Sequence, residues 1–323
     1  MRRFKNILCV ITPQGDHGQV LERTVNLAEH NQARLRVVVV LEKISIGMGM
    51  PDGGPISEQL QNTLLRNSED LLEKAIEPFR DRVEISTRVL TGTPFLELIC
   101  EVLRNKHDLV VKSAEDPEWL NRLFGSDDMH LLRKCPCPVW LFNPGAQGRF
   151  RTILAAVDVD DDFDPVQLEA RRALNDQVLQ LAASLAITES AQLHIGHALD
   201  AIGAGSLRGR LLRGHEAQLD QYVEQVRMHR QDSLERSLQR LPADVGPEVH
   251  EFKTHLIEGA PRKAIPALAS DIGADLVVMG TVARTGIPGF IVGNTAEMIL
   301  SQIACAVLAV KPPGFSSPVE IQN

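Results

Sequence analysis

Ala274-Asp-Leu-Val-Val-Met279 runs into Gly280-Thr-Val-Ala-Arg-Thr-Gly286-Ile-Pro-Gly-Phe-Ile-Val-Gly293-Asn294-Thr295, and then into Ala296-Glu-Met-Ile-Leu-Ser-Gln-Ile303. The first segment is a short, continuous apolar run, the form of a strand covered on both faces. The last has the apolar spacing of a helix. A strand, a glycine-bearing loop and a helix start can present backbone N–H groups to an anion, usually a phosphate. The spacing is not the Walker pattern, because no Gly-Lys-Ser/Thr follows, and it is not the dinucleotide fingerprint.

The same stretch is written twice. Asp108-Leu-Val-Val111 recurs as Asp275-Leu-Val-Val278, and Gly92-Thr-Pro94 recurs as Gly259-Ala-Pro261. Gly125-Ser126 recurs as Gly293-Asn294, and Cys137-Pro-Val139 as Cys305-Ala-Val307, with one added residue in the later loop. Asn6-Ile-Leu8 corresponds to Thr152-Ile-Leu154. Repetition on this scale means a duplicated domain, since solenoid periods are far shorter. The expected domains are residues 1–147 and 148–323, joined near Pro144-Gly145-Ala-Gln-Gly148.

Each half reads as a strand (6–12; 152–158), an amphipathic helix (19–31; 167–186) and a β-rich run (Leu35–Leu41; Gln192–Ala198). A long helix follows. Its apolar positions are Leu60, Leu64, Leu71, Leu72, Ala75, Ile76 and Phe79 in the first half. In the second they are Leu219, Tyr222, Val223, Val226, Leu234, Leu238 and Leu241, and both sets mark one buried face. A third strand, a helix, a fourth strand, the loop and a last helix lead to a fifth strand (137–143; 305–311). Strands alternating with helices, each strand a near-continuous apolar run, predict an α/β fold: two tandem Rossmann-like domains, each an open five-stranded parallel sheet covered on both faces.

Gly280 and Gly293 stand in register with the universal stress protein signature: glycine, two residues, glycine, nine residues, glycine, then serine or threonine. Ala283 replaces the second glycine and Asn294 the hydroxyl residue. The order of elements and the closing Ala-Cys-Ala-Val-Leu-Ala-Val also resemble that family, over nearly the whole chain, twice. The Gly-Thr-x-x-Arg-Thr-Gly opening looks most like its tandem E-type members. The resemblance implies a stress-response protein that binds ATP, with magnesium, or a related nucleotide. It implies that Asp158 contacts the adenine or its ribose side, that the Ala198 region lines the base, and that Met279, Gly280, Gly293, Asn294 and Thr295 lie around the nucleotide. It also implies an internal pseudo-dimer through the last strands, Val139-Trp-Leu141 beside Val307-Leu-Ala309, with further pairing of tandem chains left open.

Chemistry bears on these positions directly. A glycine at 280 lets backbone approach a ligand without a Cβ, and Arg284, in the loop with Gly286, can grip phosphate oxygens bidentately. The plainer reading stands beside it: Asn294-Thr-Ala-Glu297 is an ordinary capping box, and the glycines serve the turn. In the first half Thr12 stands for Asp158 and Ser113 for Gly280, with Asp116 near the position of Ala283. Asp127 and Asp128 then satisfy the helix start themselves and repel phosphate. That half is expected to be structural, or to hold another ligand, such as an acyl-bearing metabolite, under the methionine-rich loop 45–55.

Other signals are discounted. Asp158, Asp160, Asp162, Asp164 and Glu169 have calcium-loop spacing, but Phe163 stands where a glycine is needed and a strand precedes the run. A magnesium ion carried by a nucleotide could touch Asp160 or Asp162. His194 and His197 point to opposite faces of a strand, and His250 and His255, five apart, fail as chelators for the same reason. Cys135-Pro-Cys137 lacks the spacing of a redox or zinc knuckle. Arg208, Arg210 and Arg213 read as a solvated loop bordering the crevice. No metal site and no catalytic residues are expected: the glycine loop has no lysine, and there is no Gly-x-Ser-x-Gly elbow or carboxylate pair.

The 323 residues carry a net charge of −8 and 4% aromatics, which argues against nucleic-acid partners. Five cysteines without a paired framework, no signal segment and no apolar run near the roughly 20 residues of a membrane span predict a cytoplasmic protein.

Overall fold

The computed structural model describes residues 3–13, 17–43, 55–114, 126–142, 149–161, 165–199, 216–240, 252–281 and 293–321. They fall into two compact units, a C-terminal one within Gly148–Phe315 and an N-terminal one within Arg2–Gln147 that also takes the closing residues from Ser316 on.

In the N-terminal unit the strands are β1 (Asn6–Val10), β2 (Arg34–Leu41), β3 (Ile85–Thr91), β4 (Leu109–Ser113) and β5 (Val139–Phe142). They are parallel, in the order β3-β2-β1-β4-β5. Helices α1 (Gly18–Asn31), α2 (Pro55–Ile76), α3 (Pro94–Asn105) and α4 (Asp127–Lys134) connect them. The C-terminal unit repeats the plan with β6 (Thr152–Ala156), β7 (Gln192–Leu199), β8 (Phe252–Glu258), β9 (Leu276–Gly280) and β10 (Ala306–Val310), in the order β8-β7-β6-β9-β10. Its helices are α5 (Pro165–Glu189), α6 (Glu216–Gln239), α7 (Pro261–Asp271) and α8 (Asn294–Leu300).

The central strands are apolar throughout because both faces are covered: Ile7, Leu8 and Cys9 of β1, and Ile153, Leu154 and Ala155 of β6, have no exposed surface. β3 and β8 differ from expectation. They are sheet edges, with sequences Ile-Ser-Thr-Arg-Val-Leu-Thr and Phe-Lys-Thr-His-Leu-Ile-Glu, and stay half open. Polar residues on an edge also discourage unwanted strand pairing. The long helices depart from their predicted faces too. Leu60 and Leu64 of α2 and Tyr222 of α6 are exposed, and the buried stripes run through Leu72, Ile76 and Phe79, and through Arg230, Leu234 and Ser237. Leu219 and Leu241 lie outside the residues whose side chains are described.

Two devices recur at matched positions. Asp108 accepts from the backbone N–H groups of Lys5 and Asn6 at 2.7 and 3.1 Å, and Asp275 accepts from those of Arg151 and Thr152 at 2.6 and 3.0 Å. Each aspartate ties the start of the first strand to the foot of the fourth. Gly92 and Gly259 carry φ of 151° and 128°, and each donates its N–H to the last residue of the second strand, Leu41 or Leu199, at 2.9 Å. A proline follows two residues later as the first residue of α3 or α7, where its missing N–H costs nothing.

Candidate functional site

In an open parallel sheet the ligand crevice lies beyond the carboxyl ends of the strands, where the strand order reverses. In the C-terminal unit that point is between β6 and β9. A cavity of about 460 Å³ opens there. β6 contributes Ala156 and, with the loop beyond it, Val157 and Asp158; β7 contributes His197, Ala198 and Leu199; β9 contributes Met279 and Gly280, followed by Thr281. Leu174 and Arg171 of α5, Tyr222, Val226 and Arg230 of α6, and Thr295, Ala296 and Ile299 of α8 complete most of the wall.

Asp158, Ala198, Met279, Gly280, Gly293 and Thr295 thus share one cavity. Asn294 is not among the lining residues, and Arg284 and Gly286 lie outside the described residues. Arg208, Arg210, Arg213, Asp162, Asp116, Ala283 and the loop 45–54 also lie outside them. The capping box needs correcting. The cap of α8 is Gly293, with extended backbone, whose carbonyl accepts from Glu297 N–H at 3.0 Å; Asn294 is already the first helical residue. Gly293 also donates to the Thr281 carbonyl at 2.9 Å, which closes the loop at its base.

The role of Gly280 is partly steric. A Cβ placed there would lie 2.6 Å from Leu174 Cδ2 and 3.0 Å from its Cγ. The missing side chain makes room for Leu174, which lines the cavity from α5, and the φ is not one that requires glycine.

The polar edge is organised by residues that sequence reasoning missed. Asn175 holds the backbone of Asp158 on both sides: its Oδ1 accepts from Asp158 N–H at 3.1 Å and its Nδ2 donates to Asp158 O at 2.6 Å. The Asp158 side chain pairs with Arg171. Arg230, almost wholly buried, pairs with both Asp160 and Asp161. Burial alone would raise the Asp161 carboxyl, but hydrogen bonds from His229 (2.7 Å) and Arg230 hold it below its ordinary value. Asp158, Asp160 and Asp161 are therefore structural partners of arginines. Their spacing in sequence hinted at ligation, and the arginines that answer them, 10 or more residues away, were not legible.

His197 is buried beside them. Its Nδ1 lies 3.1 Å from Val157 O and 3.4 Å from Val159 N, so the tautomer decides which contact is the hydrogen bond. Burial pushes its pKa below 6.5, leaving a neutral imidazole in the wall at neutral pH. His194 Nδ1 is 3.0 Å from His255 Nε2 on the neighbouring strand, with stacked rings. That pairing crosses strands, so spacing along one strand could not reveal it. Among the described residues no group of three or more His, Cys, Asp or Glu side chains could hold a metal. No helix among them is long and apolar enough to cross a membrane.

At the matching place in the N-terminal unit, Lys112 stands where β9 has Met279, and Asp128 where α8 has Ala296. Both are buried and form an ion pair, Nζ to Oδ1, at 2.6 Å. The expectation that Asp128 would face an incoming phosphate as a bare carboxylate is corrected: its charge is turned onto Lys112. The helix start is capped by Ser126, whose Oγ accepts from Met129 N–H at 3.2 Å.

The model of the Universal stress protein family matches residues 3–143 and again residues 149–311. The chain belongs to the universal stress protein family. The two matches are consecutive in one chain. The chain is 29% identical to universal stress protein E of Salmonella typhi over 328 residues, covering 100% of this chain and 99% of the relative. The homologue from Haemophilus influenzae is 28% identical, covering 96% and 98%. A functionally unknown protein from Pseudomonas aeruginosa PAO1 has the same fold, with a TM-score of 0.66 at 24% identity over 96% of this chain and 94% of that one.

Proposed function

We propose that this universal stress protein binds one adenine nucleotide per chain, ATP or a related molecule, in the C-terminal unit, and acts as a nucleotide-responsive binding protein without dedicated catalysis. The observation that carries this reading is the position and make-up of the 460 Å³ cavity. It sits at the sheet's switch point, within the size range of small-molecule sites. Leu174, Ile265, Met279 and Ile299 offer apolar surface for a base, and Asp158 and Thr295 offer polar groups for a ribose or phosphate. The N-terminal unit, with Lys112 and Asp128 in the equivalent wall, serves as a structural partner in this reading.

Titration calorimetry with ATP, with and without magnesium, tests it. One saturable site per chain, weakened at least tenfold by Gly293→Val, is expected, because a valine at the cap would project side-chain atoms where Gly293 lines the cavity. No binding of any adenine nucleotide at millimolar concentration would overturn it. Absence of phosphate release above the level of Gly293→Val is the expected outcome of a turnover assay.

A further inference from the structure

A second hollow, of about 200 Å³, lies beside the main cavity in the groove between α5 and α6, and Asp158, Asp160, Arg171 and Asn175 line both. The groove is lined by Arg172 of α5, by Arg236 of α6 and by Arg240, which follows it, with the hydroxyls of Ser233 and Ser237 between them.

Asp158, Asp160 and Asp161 also line the groove, and each is paired, Asp158 with Arg171 and the other two with Arg230; Asp176 pairs with Arg240 at 3.0 Å. Arg172 and Arg236 have no carboxylate partner among the described residues. Arg236 is instead steadied by Ser233 Oγ at 2.9 Å and by the Asp232 carbonyl at 3.2 Å, and Ser237 Oγ accepts from Arg240 at 3.0 Å. Ser237 also donates its hydroxyl to the Ser233 carbonyl at 3.0 Å, so the guanidinium groups of Arg172 and Arg236 are the groove's donor set for phosphate oxygens.

We propose that this groove is an anion subsite for a second phosphate of the molecule held in the main cavity, so that the preferred ligand is a nucleotide phosphorylated on its ribose 2′ or 3′ oxygen as well as at the 5′ end. The proposal rests on the nucleotide reading given above and narrows its substrate class. The groove adjoins the Asp158–Arg171 edge of the cavity, so a ribose seated at that edge would turn its second phosphate towards Arg172 and Arg236.

Calorimetric titrations of the full chain with adenosine 5′-monophosphate, adenosine 3′,5′-bisphosphate and adenosine 2′,5′-bisphosphate test it. One bisphosphate is expected to bind about tenfold more tightly than the monophosphate, the equivalent of about 1.4 kcal/mol. The advantage is expected to shrink at high salt, because the groove is open to solvent. In the Arg172→Gln/Arg236→Gln double variant the ratio of affinities is expected to fall to about one. Binding of the monophosphate with no gain from either bisphosphate overturns the subsite alone, as does a gain that survives the double variant. Failure of all three nucleotides to bind overturns the subsite together with the nucleotide reading.

Discussion

Lys112 and Asp128 form a buried ion pair in the N-terminal unit at the two positions where the C-terminal unit has Met279 and Ala296 lining its cavity. One partner is the fourth residue of β4 and the other the second residue of α4. Removing either takes this partner away from a charge held in the interior. Asp128→Ala is expected to destabilise the N-terminal unit by about 3–5 kcal/mol, while Lys112→Met/Asp128→Ala recovers most of that, because a buried pair replaced by apolar groups is often neutral. Denaturant unfolding of the three proteins checks both signs.

Glu101 of α3 provides an acid-sensitive contact in the same unit. Its carboxylate is fully buried, bonded to Arg36 at 2.7 Å and to Arg88 at 3.1 Å, with His107 Nε2 at 3.7 Å. Burial alone would raise its pKa, but His107 and the two arginines outweigh burial and lower it from 4.5 to about 2. The folded value lies below the unfolded one, so this stabilisation is complete above about pH 4.5 and is lost as the pH falls towards 2. That difference corresponds to a contribution on the order of 3 kcal/mol. Wild type and Glu101→Gln, unfolded at pH 7 and pH 3, are expected to differ much less at the lower pH.

The C-terminal unit has a pH response of its own, set by histidines. Burial lowers the pKa of His194, His197 and His255 below 6.5. Below pH 6.5 the unfolded chain takes up protons that the folded one resists, so stability falls with acidification from that point. Unfolding midpoints at pH 7.5 and 5.5 are expected to show the drop, and His194→Asn/His255→Asn is expected to make it shallower.

Gly280 and Leu174 couple packing to binding. Gly280→Ala places a methyl 2.6 Å from Leu174 Cδ2, the mobile end of a side chain that lines the cavity. The fold is expected to tolerate this at a cost of about 1–3 kcal/mol from overpacking. Nucleotide affinity is expected to fall as Leu174 shifts, and to recover in Gly280→Ala/Leu174→Ala. Calorimetry on the two variants separates this from a direct contact between Gly280 and the ligand, which the second change would not restore.

The strand-helix alternation, the duplication and the switch-point location were all legible in the chain, because apolar runs such as Leu276–Met279 and the paired Gly-x-Pro turns are local signals. Edge strands β3 and β8 were harder to read, since their alternating residues answer to the sheet edge. The cavity's polar rim was legible only on one side. Asp158 stands out next to a strand, but Arg171, Asn175 and Arg230 meet it through helix packing, and a helix sequence does not say which of its polar residues turns inward. The Lys112–Asp128 pair was hidden for the same reason: its two members are 16 residues apart, on a strand and a helix.

The aspartate staples at 108 and 275 have an evolutionary consequence. They anchor each set of strands from the end opposite the crevice, using none of the residues at the crevice end. A duplicated gene with that arrangement can change residues at one crevice, as at Lys112 and Asp128, and keep these anchors in both copies.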